Sequence, residues 1–124
     1  VDFDARGFFD QTQNMIRYAQ KTAIAQRRPV WVQLSQADGV ICLTYVQVNV
    51  NCQSDAGAPV LVPGEQIWYR RAVPADVNFG VTTFFSFNAL GQPNPNTAKE
   101  LTLFQNGTIA VGTIRVEAET GYVH

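Results

Sequence analysis

The feature that most constrains this chain is a helical pattern near its start, from Phe8 to Arg28. Apolar and small side chains recur there at helical spacing and form one face: Phe8, Thr12, Met15, Ile16, Ala19, Ala23 and Gln26. Asp10 in the first turn and Arg27 and Arg28 in the last turn suit the helix dipole. Pro29 ends the pattern, because the residue before a proline disfavours the helical conformation. Such a helix is about 30 Å long and must be covered by the rest of the chain.

The remainder of the chain, residues 29–124, has the pattern of antiparallel β-structure. The expected strands are Val30–Leu34, a segment beginning at Val40, Gln66–Val73, Asn78–Asn88, Glu100–Gln105, Thr108–Glu119 and a short last strand at Tyr122–Val123. Asn106-Gly107 predicts a tight hairpin turn. The apolar positions change parity at Gly112, which predicts a β-bulge. We therefore expect one α+β domain over residues 1–124, with the helix packed on antiparallel sheet in two small sheets.

Composition narrows the class of protein. The chain has 124 residues, 46% hydrophobic and 15% charged, with a net charge of −1. This balance is typical of a globular domain and gives no general attraction to nucleic acid or to anionic lipid. The longest apolar runs fall well short of the roughly 18 residues that a membrane-spanning helix requires.

The two cysteines, Cys42 and Cys52, are either free core residues or a disulfide. A continuous strand would hold them about 33 Å apart, whereas a disulfide needs Cα atoms within about 7 Å. Pairing would therefore require the chain to reverse between Tyr45 and Val50. The segment from Val40 is accordingly either one long strand or a hairpin closed by a disulfide.

Catalytic and metal sites have little support in the sequence. The single histidine, His124, is the last residue, where chains are usually mobile, so a catalytic triad or a zinc site is not expected. Glu117 and Glu119 have the spacing of an acid/base pair or metal clamp on a strand, but a solvated strand face explains them better. We expect no enzyme activity, no metal and no cofactor.

Basic and aromatic residues offer weak alternatives. Arg70, Arg71 and Arg115 are possible ligand contacts, although arginine pairs more often line a sheet edge or a helix end. The strand aromatics are a possible stacking platform for sugars or nucleotides, and most of them are expected in the core. They are Trp31, Trp68, Tyr69, Phe84, Phe85 and Phe87.

A helix followed by a turn-rich β-domain resembles the minor pilins and pseudopilins of the GspH/FimT group without their hydrophobic N-terminal half-helix. The helix end matches the pattern YA...A....pV.v.l through Tyr18, Ala19, Ala23, Pro29, Val30, Val32 and Leu34. A second pattern, F...LG.P, is matched by Phe87, Leu90, Gly91 and Pro93. The ending GTIAVGTIRVEAETGYVH is also similar. Within this group the chain most resembles the minor pilins of MSHA-type pili.

The resemblance implies a structural subunit of a bacterial type IV pilus or type II secretion-like filament, which acts by subunit packing and by priming assembly. It also implies a hydrophobic segment upstream of Val1 that anchors the subunit in the inner membrane. The expected partners are other pilin or pseudopilin subunits and the assembly machinery. The globular domain would lie in the periplasm, where a Cys42–Cys52 disulfide forms readily, before the subunit enters a periplasmic or extracellular filament.

The same resemblance assigns subunit packing to the helix, through Phe3, Phe8, Phe9, Met15 and Ile16. Phe3, Phe8 and Phe9 are expected to look overexposed without the upstream half. The alternative is a periplasmic or filament-tip binding module for DNA or surface glycans. Some FimT-like members take up DNA through a basic C-terminal region, and Glu117 and Glu119 argue against that use here.

Overall fold

The computed structural model describes residues 2–124, which contain helix α1 (Phe3–Gln26) followed by strands. The helix begins earlier than the predicted Phe8, because the Asp2 side chain caps it by accepting a 2.8 Å hydrogen bond from the Ala5 amide. It ends at Gln26, since Arg27 adopts a left-handed conformation and donates its amide to the carbonyls of the last turn. The predicted end at Arg28 is therefore wrong, and the last turn holds no basic residue.

The strands form two antiparallel sheets, as predicted. Their bounds are β1 Val30–Ser35, β2 Val40–Thr44, β3 Arg70–Ala72, β4 Val77–Phe79, β5 Thr83–Phe87, β6 Pro93–Asn94, β7 Lys99–Gln105 and β8 Ile109–Val116. The larger sheet has the order β3-β2-β1-β5-β6, and the smaller one has the order β4-β7-β8.

Three strand predictions need correction. The expected strand Asn78–Asn88 is two strands, β4 and β5, which belong to different sheets. Gly80 lies at the crossing, where an added Cβ would come within 2.6 Å of the Phe104 ring. The expected strand Gln66–Val73 is a strand only over Arg70–Ala72, and Trp68 forms a single bridge with Leu61. Strand β8 ends at Val116, so the strand predicted as far as Glu119 stops short of both glutamates.

The C-terminal hairpin agrees with the sequence in detail. The turn between β7 and β8 contains Asn106 and Gly107, both with positive φ. The register passes from the Leu103–Gly112 pair to the Phe104–Ala110 pair, which leaves Val111 as the extra residue of a β-bulge beside the predicted glycine. The expected last strand is reduced to a single bridge between Val116 and Val123.

One hydrophobic core joins the helix to both sheets. Helix α1 buries one stripe, which consists of Ala5, Phe8, Phe9, Thr12, Met15, Ile16, Ala19, Thr22 and Ala23. The predicted face is thus confirmed except at Gln26, which is exposed. The helix lies on what we call the inner face of the five-stranded sheet. Residues 45–69, the covering segment, make a second small cluster on the opposite, outer face.

Candidate subunit-interaction surfaces

The first surface is the start of helix α1. Phe3 is 93% exposed and lies beside a cleft of about 320 Å³. Asp4, Gly7, Phe8, Gln11, Ala72 and Pro74 complete the lining of this cleft. The helix start is fixed to the β-domain, because Asp2 exchanges two hydrogen bonds with the Gln105 side chain at the end of β7. The structure therefore holds an exposed aromatic side chain on a rigid support.

The other helix residues expected to contact neighbouring subunits are buried within this subunit. Met15 and Ile16 are fully inaccessible, and the Phe8 ring packs against the Phe79 ring at 5.9 Å between centroids. Phe9 packs so closely on Gly112 that an added Cβ there would lie 2.7 Å from its ring. The expectation that Phe8 and Phe9 look overexposed is wrong, because the smaller sheet covers them.

The long segment between β2 and β3 is held in place by a disulfide. Cys42 and Cys52 form a disulfide with a Cα–Cα distance of 6.0 Å, and the chain reverses between them as pairing requires. The segment is a loop rather than the second arm of a hairpin. The fully buried Gln33 side chain accepts a 2.6 Å hydrogen bond from the Val48 amide and donates one to Thr44. The cross-link and this glutamine fix the covering segment to the outer face.

Four of the six strand aromatics lie in a hydrophobic cluster or pack against one, in line with the expectation that most are core residues; Trp31 and Phe84 are the exceptions. Phe85 and Phe87 are fully buried. Phe84 is 47% exposed on the outer face and lies 6.2 Å from Trp31, ring to ring. Trp68 is half-buried against the disulfide cluster and donates its indole N–H to the Leu43 carbonyl. The alternation along β5 places Phe85 and Phe87 on the inner face and Phe84 on the outer face, which is covered only in part.

The structure does not bring the three candidate ligand-binding arginines together. Arg70 donates to the Cys52 carbonyl at 2.9 Å and so supports the covering segment. Arg71 points to the inner side, where its guanidinium lies 5.2 Å from the centre of the Tyr69 ring. Arg115 belongs to the other sheet and is paired with carboxylates. A single binding site formed by all three is therefore absent.

An ion-pair cluster occupies the end of the smaller sheet. Arg115 contacts Glu100 and donates to Glu117 at 2.9 Å, and the His124 ring lies 2.6 Å from the same Glu117 oxygen. The hydrogen bond from His124, reinforced by Arg115, lowers the pKa of the Glu117 carboxyl below its usual value. The hydrogen bond and charge of Glu117 in turn raise the pKa of Arg115.

The structure of this cluster also bears on two predictions for the C-terminal residues: the mobility of His124 and the pairing of Glu117 with Glu119. His124 exchanges two backbone hydrogen bonds with Arg115, so the last residue is tied to β8 rather than loose. Glu119 lies in an exposed turn and shares no strand face with Glu117. The two carboxylates therefore do not form the acid/base pair that their spacing allowed. Within residues 2–124, no group of three histidine, cysteine, aspartate or glutamate side chains has a metal-binding arrangement.

A further surface, which we call the tyrosine–arginine cleft, was missed by sequence reasoning. Its core is a cleft of about 230 Å³ lined by Tyr18, Lys21, Thr22, Ala25, Gln26 and Tyr45. The Tyr18 ring also contacts the Tyr69 ring at 5.7 Å, and Arg28 stacks on Tyr45 at 3.9 Å from its centre. Burial raises the pKa of the Tyr69 hydroxyl, and Arg71 beside it opposes part of that shift.

The sequence carries only a local signal for this cleft. Tyr18 and Lys21 share a helix face because they are three residues apart. Tyr45 and Tyr69 are the two end residues of the covering segment, next to β2 and β3, and both pack against the core on the helix side. The described helix contains no stretch that is both long and apolar enough to cross a membrane.

Comparison with known proteins identifies this architecture. A family model described as "Type II transport protein GspH" matches residues 9–120. The type IV minor pilin FimU of Pseudomonas aeruginosa (strain PAO1) superposes with a TM-score of 0.69 at 16% identity, covering 93% of this chain and 86% of FimU. The minor pseudopilin EpsH from the type II secretion system of Vibrio cholerae superposes with a TM-score of 0.70 at 10% identity, covering 98% of this chain and 92% of EpsH. No curated protein matches the sequence significantly.

These findings agree with each other and with the features of the fold. The family match extends from the first turns of α1 to the turn that follows β8. The two structural matches share the single helix packed on two antiparallel sheets, at identities that report the fold alone. The protein therefore belongs to the family of type II transport proteins related to GspH.

Proposed function

We propose that this protein, a structural subunit of a type IV pilus or type II secretion filament, works by packing against neighbouring subunits and helps to prime assembly. The observation that carries the proposal is a difference in exposure along α1. The apolar stripe of the helix is buried in the subunit's own core, whereas Phe3 at the start of the helix is 93% exposed. A large aromatic side chain on a rigid helix start is well suited to contact another subunit.

The carboxyl group of Glu117 is not suited to act as a general acid. A general acid must hold a proton near neutral pH, which requires a raised pKa. The pKa of Glu117 is instead lowered by its hydrogen bonds to His124 and Arg115. The most elaborate polar cluster of the described chain thus keeps its central carboxylate ionised.

We further propose that the helix continues upstream of Val1 as an apolar segment. That segment would anchor the subunit in the inner membrane until the assembly machinery extracts it, with the disulfide-containing domain in the periplasm. The support is the family membership and the disulfide between Cys42 and Cys52, which suits an oxidising compartment. Assignment to an MSHA-type pilus remains a prediction.

The DNA-binding or glycan-binding alternative is not favoured. Arg115, the basic residue of the C-terminal region, is engaged by Glu100 and Glu117. Its charge is therefore largely unavailable to a phosphate backbone.

The test is fractionation of the source bacterium that expresses the full-length gene with an epitope at the C-terminus. We expect the subunit in the inner-membrane fraction and in filaments sheared from the cells or released from their periplasm. A deletion strain should assemble fewer filaments. Recovery of the protein only as a free periplasmic species, with filament number unchanged by the deletion, would overturn the proposal.

A further inference from the structure

We propose that the tyrosine–arginine cleft binds a segment of a different filament subunit that carries carboxylate side chains. The assignment rests on the proposed function, because it names the kind of neighbour that contacts the far end of α1. It does not depend on the exposed Phe3 at the other end of the helix.

The basic side chains that the fold itself does not use are concentrated around this cleft. All nine basic residues of the chain lie within the described residues 2–124. Five of them donate side-chain hydrogen bonds to the protein: Arg6, Arg17, Arg70, Lys99 and Arg115. The other four do not, and within residues 2–124 they form no salt bridge: Lys21, Arg27, Arg28 and Arg71. Lys21 lines the cleft, and Arg28 and Arg71 lie over tyrosine rings at its edge.

The tyrosine rings hold two of these cations in position without neutralising them. The Arg28 guanidinium lies 3.9 Å from the centre of the Tyr45 ring, and that of Arg71 lies 5.2 Å from the centre of the Tyr69 ring. A ring face attracts the positive charge but leaves the N–H groups at the edge of the guanidinium free. Those N–H groups match the two oxygens of a carboxylate. The cleft therefore presents oriented donors to an anionic partner.

The cleft supplies no negative charge of its own and has room for a side chain. Its lining contains two tyrosines, one lysine and neutral residues, but no aspartate or glutamate. Its volume of about 230 Å³ exceeds the roughly 150 Å³ that is sufficient to hold a benzene molecule. A partner segment can therefore place an apolar or aromatic side chain between Tyr18 and Tyr45 while adjacent carboxylates meet the cations.

The carboxylates of this chain do not form a matching surface. Asp4 and Asp10 lie at the start of α1, which in the proposed full-length subunit continues into the anchoring segment. Five others are engaged within the subunit: Asp2, Asp38, Asp55, Glu100 and Glu117. The rest are single exposed residues far apart in the sequence: Glu65, Asp76 and Glu119. The partner is therefore a different protein.

The inner membrane is also not the source of the negative charge. In the proposed subunit the membrane lies beyond the start of α1. Lys21 follows Phe3 by 18 positions, which is about 27 Å along a helix. Charges attract one another appreciably only within a Debye length, about 8 Å at physiological salt. The cations of the cleft are thus too far from anionic lipid head groups to bind them.

Site-specific photo-cross-linking in cells that assemble the filament tests the partner. The full-length subunit would carry p-benzoylphenylalanine in place of Gln26, an exposed residue of the cleft lining. We expect one main product, in which mass spectrometry identifies a different filament subunit through a peptide that contains aspartate or glutamate. The matched control has the same photoreactive residue in place of Thr113, an exposed position on the smaller sheet. It should give several-fold less of that product.

A charge reversal tests the chemistry of the contact. Arg28→Glu should lower the yield of the cross-linked product several-fold. Lys99→Glu, which changes the net charge equally on the smaller sheet, should leave the yield unchanged. Replacing a carboxylate of the cross-linked partner peptide by arginine should restore the yield in the Arg28→Glu variant. An unchanged yield in Arg28→Glu, or failure of every carboxylate of that peptide to give rescue, would contradict the proposed contact.

The outcomes distinguish this contact from the proposed function. The contact is refuted if the subunit enters filaments but cross-links only to copies of itself, to a peptide without carboxylates, or to nothing. The proposed function survives each of these results. Native protein absent from filaments would refute the function, and the contact with it.

Basic and aromatic side chains together are also typical of single-stranded nucleic-acid sites. Titration of the full-length subunit in detergent with a fluorescent oligodeoxynucleotide distinguishes the two partners. We expect weak binding that Arg28→Glu changes no more than Lys99→Glu does. Salt-dependent binding that Arg28→Glu alone weakens tenfold would assign the cleft to nucleic acid and overturn the proposal.

Discussion

The two faces of the five-stranded sheet are covered by different kinds of interaction, and only the inner face is covered completely. The inner face presents aliphatic and aromatic side chains to α1, and its central members, Val30, Val32, Leu34, Ile41, Leu43, Phe85 and Phe87, are fully inaccessible. The outer face presents Gln33, Thr44 and Cys42 to the covering segment. Hydrophobic burial stabilises the first face and needs no particular direction. Hydrogen bonds and one covalent cross-link hold the second, and they require specific partners.

Because different interactions hold the two faces, mutations on each face should lower the stability of the protein in different ways. On the inner face, the loss of stability should follow the volume of side chain removed. On the outer face, it should depend on which polar group is left without a partner. The covering segment should also loosen there before the whole domain unfolds.

The largest expected effect is on the inner face. Phe85→Ala should lower the free energy of unfolding by about 3–5 kcal/mol, because the fully buried ring leaves a cavity. Phe84→Ala is the matched control, since the adjacent ring is 47% exposed and should cost less than about 1 kcal/mol. Urea unfolding monitored by circular dichroism measures both values, and equal losses would contradict the assignment of the two faces.

The next effect comes from the disulfide on the outer face. Removing a cross-link between cysteines ten positions apart should cost about 2–3 kcal/mol, since the unfolded chain gains conformational freedom. Urea unfolding with and without dithiothreitol measures the difference. The control is the double variant Cys42→Ala and Cys52→Ala, whose stability should not respond to the reductant. An unchanged midpoint for the reduced native protein would show that the covering segment is held by other contacts.

A smaller loss is expected from Gln33→Leu. The substitution keeps an apolar stem but leaves the part-buried Val48 amide without its acceptor and removes the hydrogen bond that Gln33 donates to the buried Thr44 hydroxyl. An unsatisfied buried polar group costs about 1–3 kcal/mol. Hydrogen exchange should show faster exchange at Val48 in the variant, with α1 protected as before. Unaltered exchange at Val48 would mean that Gln33 does not hold the segment.

The smallest effect concerns the exposed cluster on the other sheet. The pKa of Glu117 is below its ordinary value, so this carboxylate favours the folded state above its ordinary pKa, and the contribution is lost as pH falls through the folded-state pKa. His124→Ala should move the pKa of Glu117 upward, since the ring supplies the largest part of the shift. Carboxyl NMR titration measures the change. A titration curve identical to that of the native protein would remove His124 from the cluster.

The sequence predicted the parts of this fold whose signals are local. The helical stripe from Phe8 to Ala23 and the hairpin at Asn106-Gly107 depend on periodicity and turn chemistry, and both are confirmed. The helix ends were less accurate, because a side-chain cap at Asp2 and a left-handed Arg27 decide them. Neither the Asp2 cap nor the left-handed conformation of Arg27 produces a periodic pattern in the sequence.

The parts that escaped prediction depend on contacts distant in sequence. At the break between β4 and β5, Gly80 lies so close to Phe104 of β7 that an added Cβ would clash with that ring, and this contact is not visible in the local sequence. The contact between the Tyr18 and Tyr69 rings joins residues far apart in the sequence, so no local pattern predicts it. The burial of Phe9 was also missed, because the periodic face identified in the sequence includes Phe8 but not Phe9.

The central claim is that neighbouring subunits contact the exposed start of α1 and not its buried stripe. The most direct test compares full-length Phe3→Ala with the native subunit in sheared filaments, by quantitative immunoblot. Because Phe3 is 93% exposed, its removal should change the unfolding free energy by less than about 0.5 kcal/mol. Leu90→Ala, at a 77% exposed residue outside this surface, is the control. We predict that Phe3→Ala alone is depleted from filaments; recovery equal to that of the native subunit would contradict the account.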